Sequence, residues 1–193
     1  SGILLFARNQ VAAARLQKQR EEGKLQKKYL ALAEGHLSEA TDSVFWKEIA
    51  IPLAPDPENP MKMTISPDGL LPGSRNAVTY YKNIKNFGNA TLVELQLETG
   101  RTHQIRVHMS GIGHPLLGDT MYNPGTCLNM SNSKEKKNTE GRINNRNDCF
   151  KRAALHAWKL TFCHPFTDEI ITLEAPLPDD FCRFLNANEE EKT

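Results

Sequence analysis

The sequence predicts an α+β fold: a mixed, mostly antiparallel central sheet with flanking helices. Two neighbouring stretches carry that prediction. Ala77-Val78-Thr79-Tyr80-Tyr81 and Ala90 to Leu97 both read as strands, joined around Asn86 to Asn89. The second alternates, with Leu92, Glu94 and Gln96 on one side and Val93, Leu95 and Leu97 on the other. A third observation is a change of period. After Thr99-Gly100 the apolar residues Ile105, Met109 and Ile112 recur at helical spacing.

The remaining elements fall around these three. Residues 2–7 (GILLFA) read as a short buried strand. Asn9 is placed to cap a helix from Gln10 to Glu22 that Gly23 ends, with Val11, Ala14 and Leu16 as a modest apolar stripe. Residues 28–33 (KYLALA) have strand character, as does Phe45 to Ile49. Pro52, Pro55, Pro57 and Pro60 make the next stretch an extended or turning connection. Order is expected again from Ala154 to Phe162 and from Ile170 to Glu174, then in a short helix over Asp179 to Leu185. Residues 127–151 are polar, charged and rich in Asn, which predicts a flexible insertion. One domain over 1–185 and a disordered acidic tail at 186–193 complete the expected layout.

Composition excludes several classes. No apolar run approaches the roughly 20 residues that cross a bilayer, so no membrane partner is expected. The four cysteines show no CxxC spacing and read as reduced thiols of a cytoplasmic protein. His108 and His114 lack a third ligand at a convincing spacing, so no metal is expected. The formal net charge is only +1, but it is unevenly spread. Seven Lys/Arg face two Glu between Arg8 and Lys28, and seven face three acids between Cys127 and Arg152. Such stretches suit a phosphate backbone or, equally, a solvated face.

The chemistry is concentrated in residues 97–122, LETGRTHQIRVHMSGIGHPLLGDTMY. A strand ends at Thr99-Gly100 and a helix begins, with Arg101, His103, Gln104, Arg106 and His108 crowded into its first two turns. A helix N-terminus carrying arginines and amide donors suits a carboxylate or an RNA phosphate. Taken singly, His103 or His108 reads more simply as a structural histidine. Gly111, Gly113 and Gly118 follow a helix rather than precede one, which argues against a nucleotide loop.

This segment closely resembles the long signature of the RluA-type pseudouridine synthases, Thr-Gly-Arg-x-His-Gln-Ile-Arg-x-His followed by Gly-His-Pro and Gly-Asp-x-x-Tyr. Three more stretches resemble that family in the same order. SGILLFAR is similar to the tail of its aspartate motif, in which His-Arg-Leu-Asp shortly precedes Thr-Ser-Gly-Leu-Leu. Lys28-Tyr29-Leu30-Ala31 is similar to its tyrosine motif, and Ala154-Leu155-His156-Ala157 with Phe162, His164 and Pro165 to its late leucine motif.

The resemblance implies the family's catalytic-domain fold and a cofactor-free isomerisation of uridine to pseudouridine in ribosomal or transfer RNA. It implies that Tyr29 stacks on the uracil, that Arg106 pairs with the nucleophilic aspartate, and that Leu155 walls the pocket. It implies substrate contacts from Arg101, His103 and Gln104. The family's aspartate falls a few residues before Ser1, so this stretch of chain is expected to be N-terminally truncated and inactive alone. A non-catalytic RNA-binding pseudoenzyme is the alternative reading. A monomer acting on structured RNA is expected in either case.

Overall fold

A computed structural model describes residues 1–37, 45–124 and 150–189. Its centre is a six-stranded sheet: β1 (Gln26–Glu34), β2 (Lys47–Ile49), β5 (Thr79–Phe87), β6 (Ala90–Leu97), β7 (Leu155–Cys163) and β8 (Ile170–Glu174). The strands lie in the order β2-β5-β6-β1-β7-β8, and every neighbouring pair is antiparallel. One parallel bridge, Gly2 to Ala157, makes the sheet mixed. The expected mostly antiparallel α+β architecture is what the chain adopts.

The register of β1 explains the layering. Tyr29, Ala31 and Ala33 sit opposite Leu95, Val93 and Thr91, while Leu30 and Leu32 sit opposite Glu94 and Leu92. Because strand side chains alternate in direction, these are two separate faces. The first face is closed by α2 (Gln104–Gly111), whose Ile105 and Met109 bury against Ala31, Val93 and Leu95. The second is closed by α3 (Asp179–Glu189), whose Phe181 and Phe184 meet Phe87 and Phe150 edge-on or tilted. The expected Ile105/Met109 stripe and the alternation along β6 are therefore both realised.

Helix α1 (Gln10–Glu21) starts where Asn9 Oδ1 accepts the Ala12 N–H at 2.8 Å, as its sequence predicts. Only Ala12 of this helix is buried, so packing contributes little to holding it. A two-way amide clamp does more. Gln19 donates Nε2–H to the Cys163 carbonyl (2.8 Å) and accepts the Cys163 N–H (2.9 Å), tying α1 to the end of β7.

Four expectations change. Residues 2–7 form no buried strand: beyond the bridge at Gly2, Leu4 and Phe6 are 69% and 77% exposed. The proline-rich connection contains β3 (Leu53–Pro55), which pairs with β4 (Met63–Ile65) as a small separate hairpin. Pro55 ends its strand, where no further ladder hydrogen bond is needed. Most of the 127–151 stretch lies outside the described residues, but Phe150 at its end is a core residue rather than part of a polar insertion. The last helix runs on to Glu189, four residues into the stretch expected to be a tail.

Candidate active site

The loop from β6 into α2 is shaped by Gln104. Its Oε1 accepts the Thr99 hydroxyl and the Arg101 N–H, both at 2.9 Å. Its Nε2 donates to the Val78 carbonyl at 2.9 Å and to Thr79 Oγ1 at 3.0 Å. All four hydrogen-bonding positions of the amide are taken and the residue is buried, which leaves it no free group for an RNA. The Arg101 N–H, expected to face an anion, is already used by Gln104. His108 is also structural. It lies fully buried between Thr79 Oγ1 and the Ile51 carbonyl, each 2.8 Å from a ring nitrogen. Burial holds its pKa below the usual histidine value despite that carbonyl.

His103 caps α2 with φ of 55°, in the left-handed region that a non-glycine residue enters at a cost. Its Nδ1 lies 3.0 Å from the Tyr122 hydroxyl, which in turn accepts the Met63 N–H at 2.9 Å. The Tyr122 hydroxyl thus ties the His103 ring at the start of α2 to the backbone of β4, and the tautomer of His103 sets the direction of the bond between them. Burial, and then the charge of Arg106, lower the His103 pKa and favour the neutral ring.

Arg106 lies over the Tyr122 ring, 4.9 Å from its centroid, and grips Asp119 with two parallel bonds of 2.7 Å from Nε and Nη2. The Asp119 side chain is wholly buried, and that of Arg106 is 20% exposed. Burial alone would raise the Asp119 pKa. The Arg106 bonds and the N–H groups of Tyr122 and Met121 outweigh it and hold the carboxyl below its ordinary value. The same pair raises Arg106. Gly118, at φ of 68°, makes the turn that delivers Asp119.

Side chains one residue apart on a helix project about 100° apart. His108 faces Thr79 on β5, and Arg106, two positions and so about 200° away, faces Asp119 and Tyr122 in the turn after α2. Strand bonds tie the chain just before that turn to β1 and β7. Leu117, two residues before Asp119, donates to the Leu32 carbonyl on β1 (2.9 Å) and accepts from Ala154 beside Leu155 (2.8 Å). Leu155 is paired with Ala31, two residues from Tyr29, and both side chains pack against the cluster that contains Ile105. The chain before Gly2 enters at the same place: the Ser1 amine donates to the Leu155 carbonyl at 3.3 Å.

Beside this cluster a cavity of about 690 Å³ opens between α1, the ends of β1 and β6, and the loop 98–101. Tyr29, Leu97, Arg20, Lys27 and Arg101 are among its walls. Burial pushes the Tyr29 hydroxyl pKa up, and the charge of Arg20 partly counters it. A second cavity of about 350 Å³ shares Gly100 and Arg101 and adds Arg75. Tyr29 and Arg101 thus meet in one cavity. Arg106, His103 and Leu155 are not part of its lining. Arg20 was not singled out from the sequence, where it was one charge in a basic run. No group of three or more His, Cys, Asp or Glu that would suit a metal occurs among the described residues. No helix there is long and apolar enough to cross a membrane.

These features define a protein of the RNA pseudouridylate synthase class, since a family model of that description matches residues 1–111. The chain belongs to this family, in its RluA-type branch. It is 38% identical over 182 residues to the uncharacterised RNA pseudouridine synthase YhcT of Bacillus subtilis, a match covering 93% of this chain and 50% of that protein. It is 37% identical over 180 residues to ribosomal large subunit pseudouridine synthase D of Zymomonas mobilis, covering 93% and 50%. The chain spans about half the length of the curated relatives it matches. Among solved structures, human RNA pseudouridylate synthase domain containing 1 superposes with a TM-score of 0.64 at 27% identity, covering 89% of this chain and 62% of that one. Human RNA pseudouridylate synthase domain containing 4 shares the fold, with a TM-score of 0.66 at 24% identity over 94% and 69% of the two chains.

Proposed function

We propose that the protein containing this chain isomerises uridine to pseudouridine in a structured RNA, ribosomal or transfer. The observation that carries this reading is the meeting of Tyr29 and Arg101 in one cavity, just before the helix that carries Arg106. Ring, cation and paired guanidinium come from two of the four stretches that resemble the family, the tyrosine motif and the long signature. The chemistry asks for little else. Uridine and pseudouridine are isomers, so no atom or electron is supplied from outside and no cofactor is required. The N1–C1′ bond breaks, the uracil turns, C5 bonds to C1′, and the C5 proton leaves as N1 regains one.

In this reading the everted uracil lies on the Tyr29 ring, and Leu155 closes the pocket on the β7 side. Everting a base from structured RNA costs a few kcal/mol, and Arg101 offsets part of it through a phosphate contact. The attacking carboxylate comes from the aspartate motif whose tail SGILLFAR resembles, and it approaches beside Leu155. Arg106 has five N–H donors, two of them held by Asp119. The rest face that second carboxylate and keep it ionised in a dry site. Asp119 is thus the residue that aims Arg106, and the nucleophile is a separate acid. Gln104 is assigned to positioning Arg101 rather than to touching RNA, and His103 offers a ring nitrogen to it. A monomer located in the cytoplasm completes the proposal.

The test is tritium release from RNA labelled at uridine C5, using the whole protein with its upstream segment. Release that stops when the upstream aspartate is changed to alanine supports the reading. RNA binding without any release from any cellular RNA would point instead to a non-catalytic binding protein.

A further inference from the structure

Arg20, one residue after the Gln19 clamp, reaches from α1 across the cavity mouth to the loop 98–101. Its Nη2 donates to the Gly100 carbonyl at 3.2 Å. The absence of a side chain at residue 100 leaves room for this approach, since a Cβ there would crowd Arg20 Nη2. On the other side of Gly100, Arg101 donates Nε–H to the Asn76 carbonyl at 3.1 Å. Both arginines are exposed and both line the Tyr29 cavity. Each makes its recorded bond to a backbone carbonyl, and no ion pair to a carboxylate is recorded for either among the described residues. The nearest acid in the same wall, Glu98, is engaged with the Tyr80 hydroxyl at 2.6 Å. Two guanidinium groups therefore flank a side-chain-free residue with most of their donors unspent.

We infer that Arg20 and Arg101 form a two-arginine clamp for a phosphodiester of the RNA next to the target uridine, with Arg20 the half that α1 contributes. This rests on the function proposed above and adds a specific residue to it. Guanidinium is suited to the task because its planar fork bonds two phosphate oxygens at once. The Gln19–Cys163 amide pair fixes the helix that carries Arg20, so the donor is placed before RNA arrives. Arg75, on the rim of the adjoining cavity that shares Arg101, lies where the strand would continue.

The alternative is that Arg20 merely ties α1 to the loop. The two ideas are separated by measuring RNA affinity against salt, together with turnover and melting temperature, in the whole protein and its Arg20→Gln variant. A phosphate contact predicts that the slope of log K against log salt falls by roughly 0.7–0.9. Affinity should weaken about 3- to 10-fold at moderate salt, and KM should rise more than kcat falls. Arg20→Lys should recover the slope but only part of the affinity. Lys18→Gln removes one charge from the same helix outside the cavity, and should leave the slope at the wild-type value. A slope that is the same for Arg20→Gln as for the unmodified protein, with a lowered Tm, overturns the clamp and leaves a structural tie. Tritium release by the unmodified protein decides the underlying function separately, so loss of one reading does not imply loss of the other.

Discussion

The Arg106–Asp119 pair should dominate the local stability of the site, and Asp119→Ala is the perturbation that exposes it. The carboxylate is wholly buried, takes two bonds of 2.7 Å from Arg106, and also accepts the N–H groups of Met121 and Tyr122 at 3.1 and 3.2 Å. Removing one partner of a buried pair costs about 3–5 kcal/mol, because the remaining charge is left uncompensated. In a domain of this size each kcal/mol shifts Tm by roughly 2–4 °C, so Asp119→Ala should melt at least 6 °C lower. The cost should be coupled. In an Arg106→Met background, Asp119→Ala should cost clearly less, because only the two N–H contacts are then lost. The pH dependence has a defined sign. The folded carboxyl has a pKa below its ordinary value of 3.8. Its contribution is therefore complete above that value and is lost as the pH falls through the lower folded one. Urea unfolding of the four proteins at neutral pH and near pH 3 measures all of this. A single-variant cost under about 1 kcal/mol, or costs that simply add, would refute the arrangement described.

Other consequences follow from the same geometry. Arg106→Ala should nearly abolish turnover while weakening RNA binding less than about tenfold, since its proposed task is to hold a carboxylate ionised; equal losses in both would contradict that. Gln104→Leu should strand the Arg101 N–H and the Thr99 hydroxyl proton, both of which Gln104 Oε1 accepts, costing about 1–3 kcal/mol for each polar group left buried and unpaired; urea unfolding reads the loss, and a neutral result would show that the loop does not depend on it. The Tyr80 hydroxyl, which donates to Glu98, is pushed up to about 12. Ultraviolet titration should show this tyrosine returning towards its ordinary value of 10.0 in Glu98→Gln, and an unchanged titration would remove that hydrogen bond from the description.

The central strands were legible because β6 alternates without interruption and α2 carries apolar residues at a helical interval, patterns that burial on one face imposes. Residues 2–7 misled for the opposite reason. Their apolar run is real, but periodicity does not reveal whether a neighbouring element covers it, and here Leu4 and Phe6 are largely exposed. The β3–β4 hairpin was obscured by Pro55, which is tolerated because β3 ends there. Within the site, Tyr29, Arg101, Arg106 and Leu155 came from motifs, and the register of β1 is what brings Tyr29 and Leu155 to one face of the sheet. Gln104 looked like a ligand residue because its amide is polar; only the positions of Thr99, Val78 and Thr79 show that its bonds are spent internally. The pairing of Arg106 with Asp119 was equally hidden, since a signature that contains both residues does not say that they touch. Arg20 left no signal beyond charge, and its role depends on a contact with a residue 80 positions away.

Ultraviolet crosslinking of RNA carrying 5-iodouridine to the whole protein, followed by residue-level mass spectrometry, tests most directly where the everted base lies. The account predicts an adduct on Tyr29. An adduct confined to Trp46, which sits with Lys28 and Lys82 on the other face of the sheet, would contradict it.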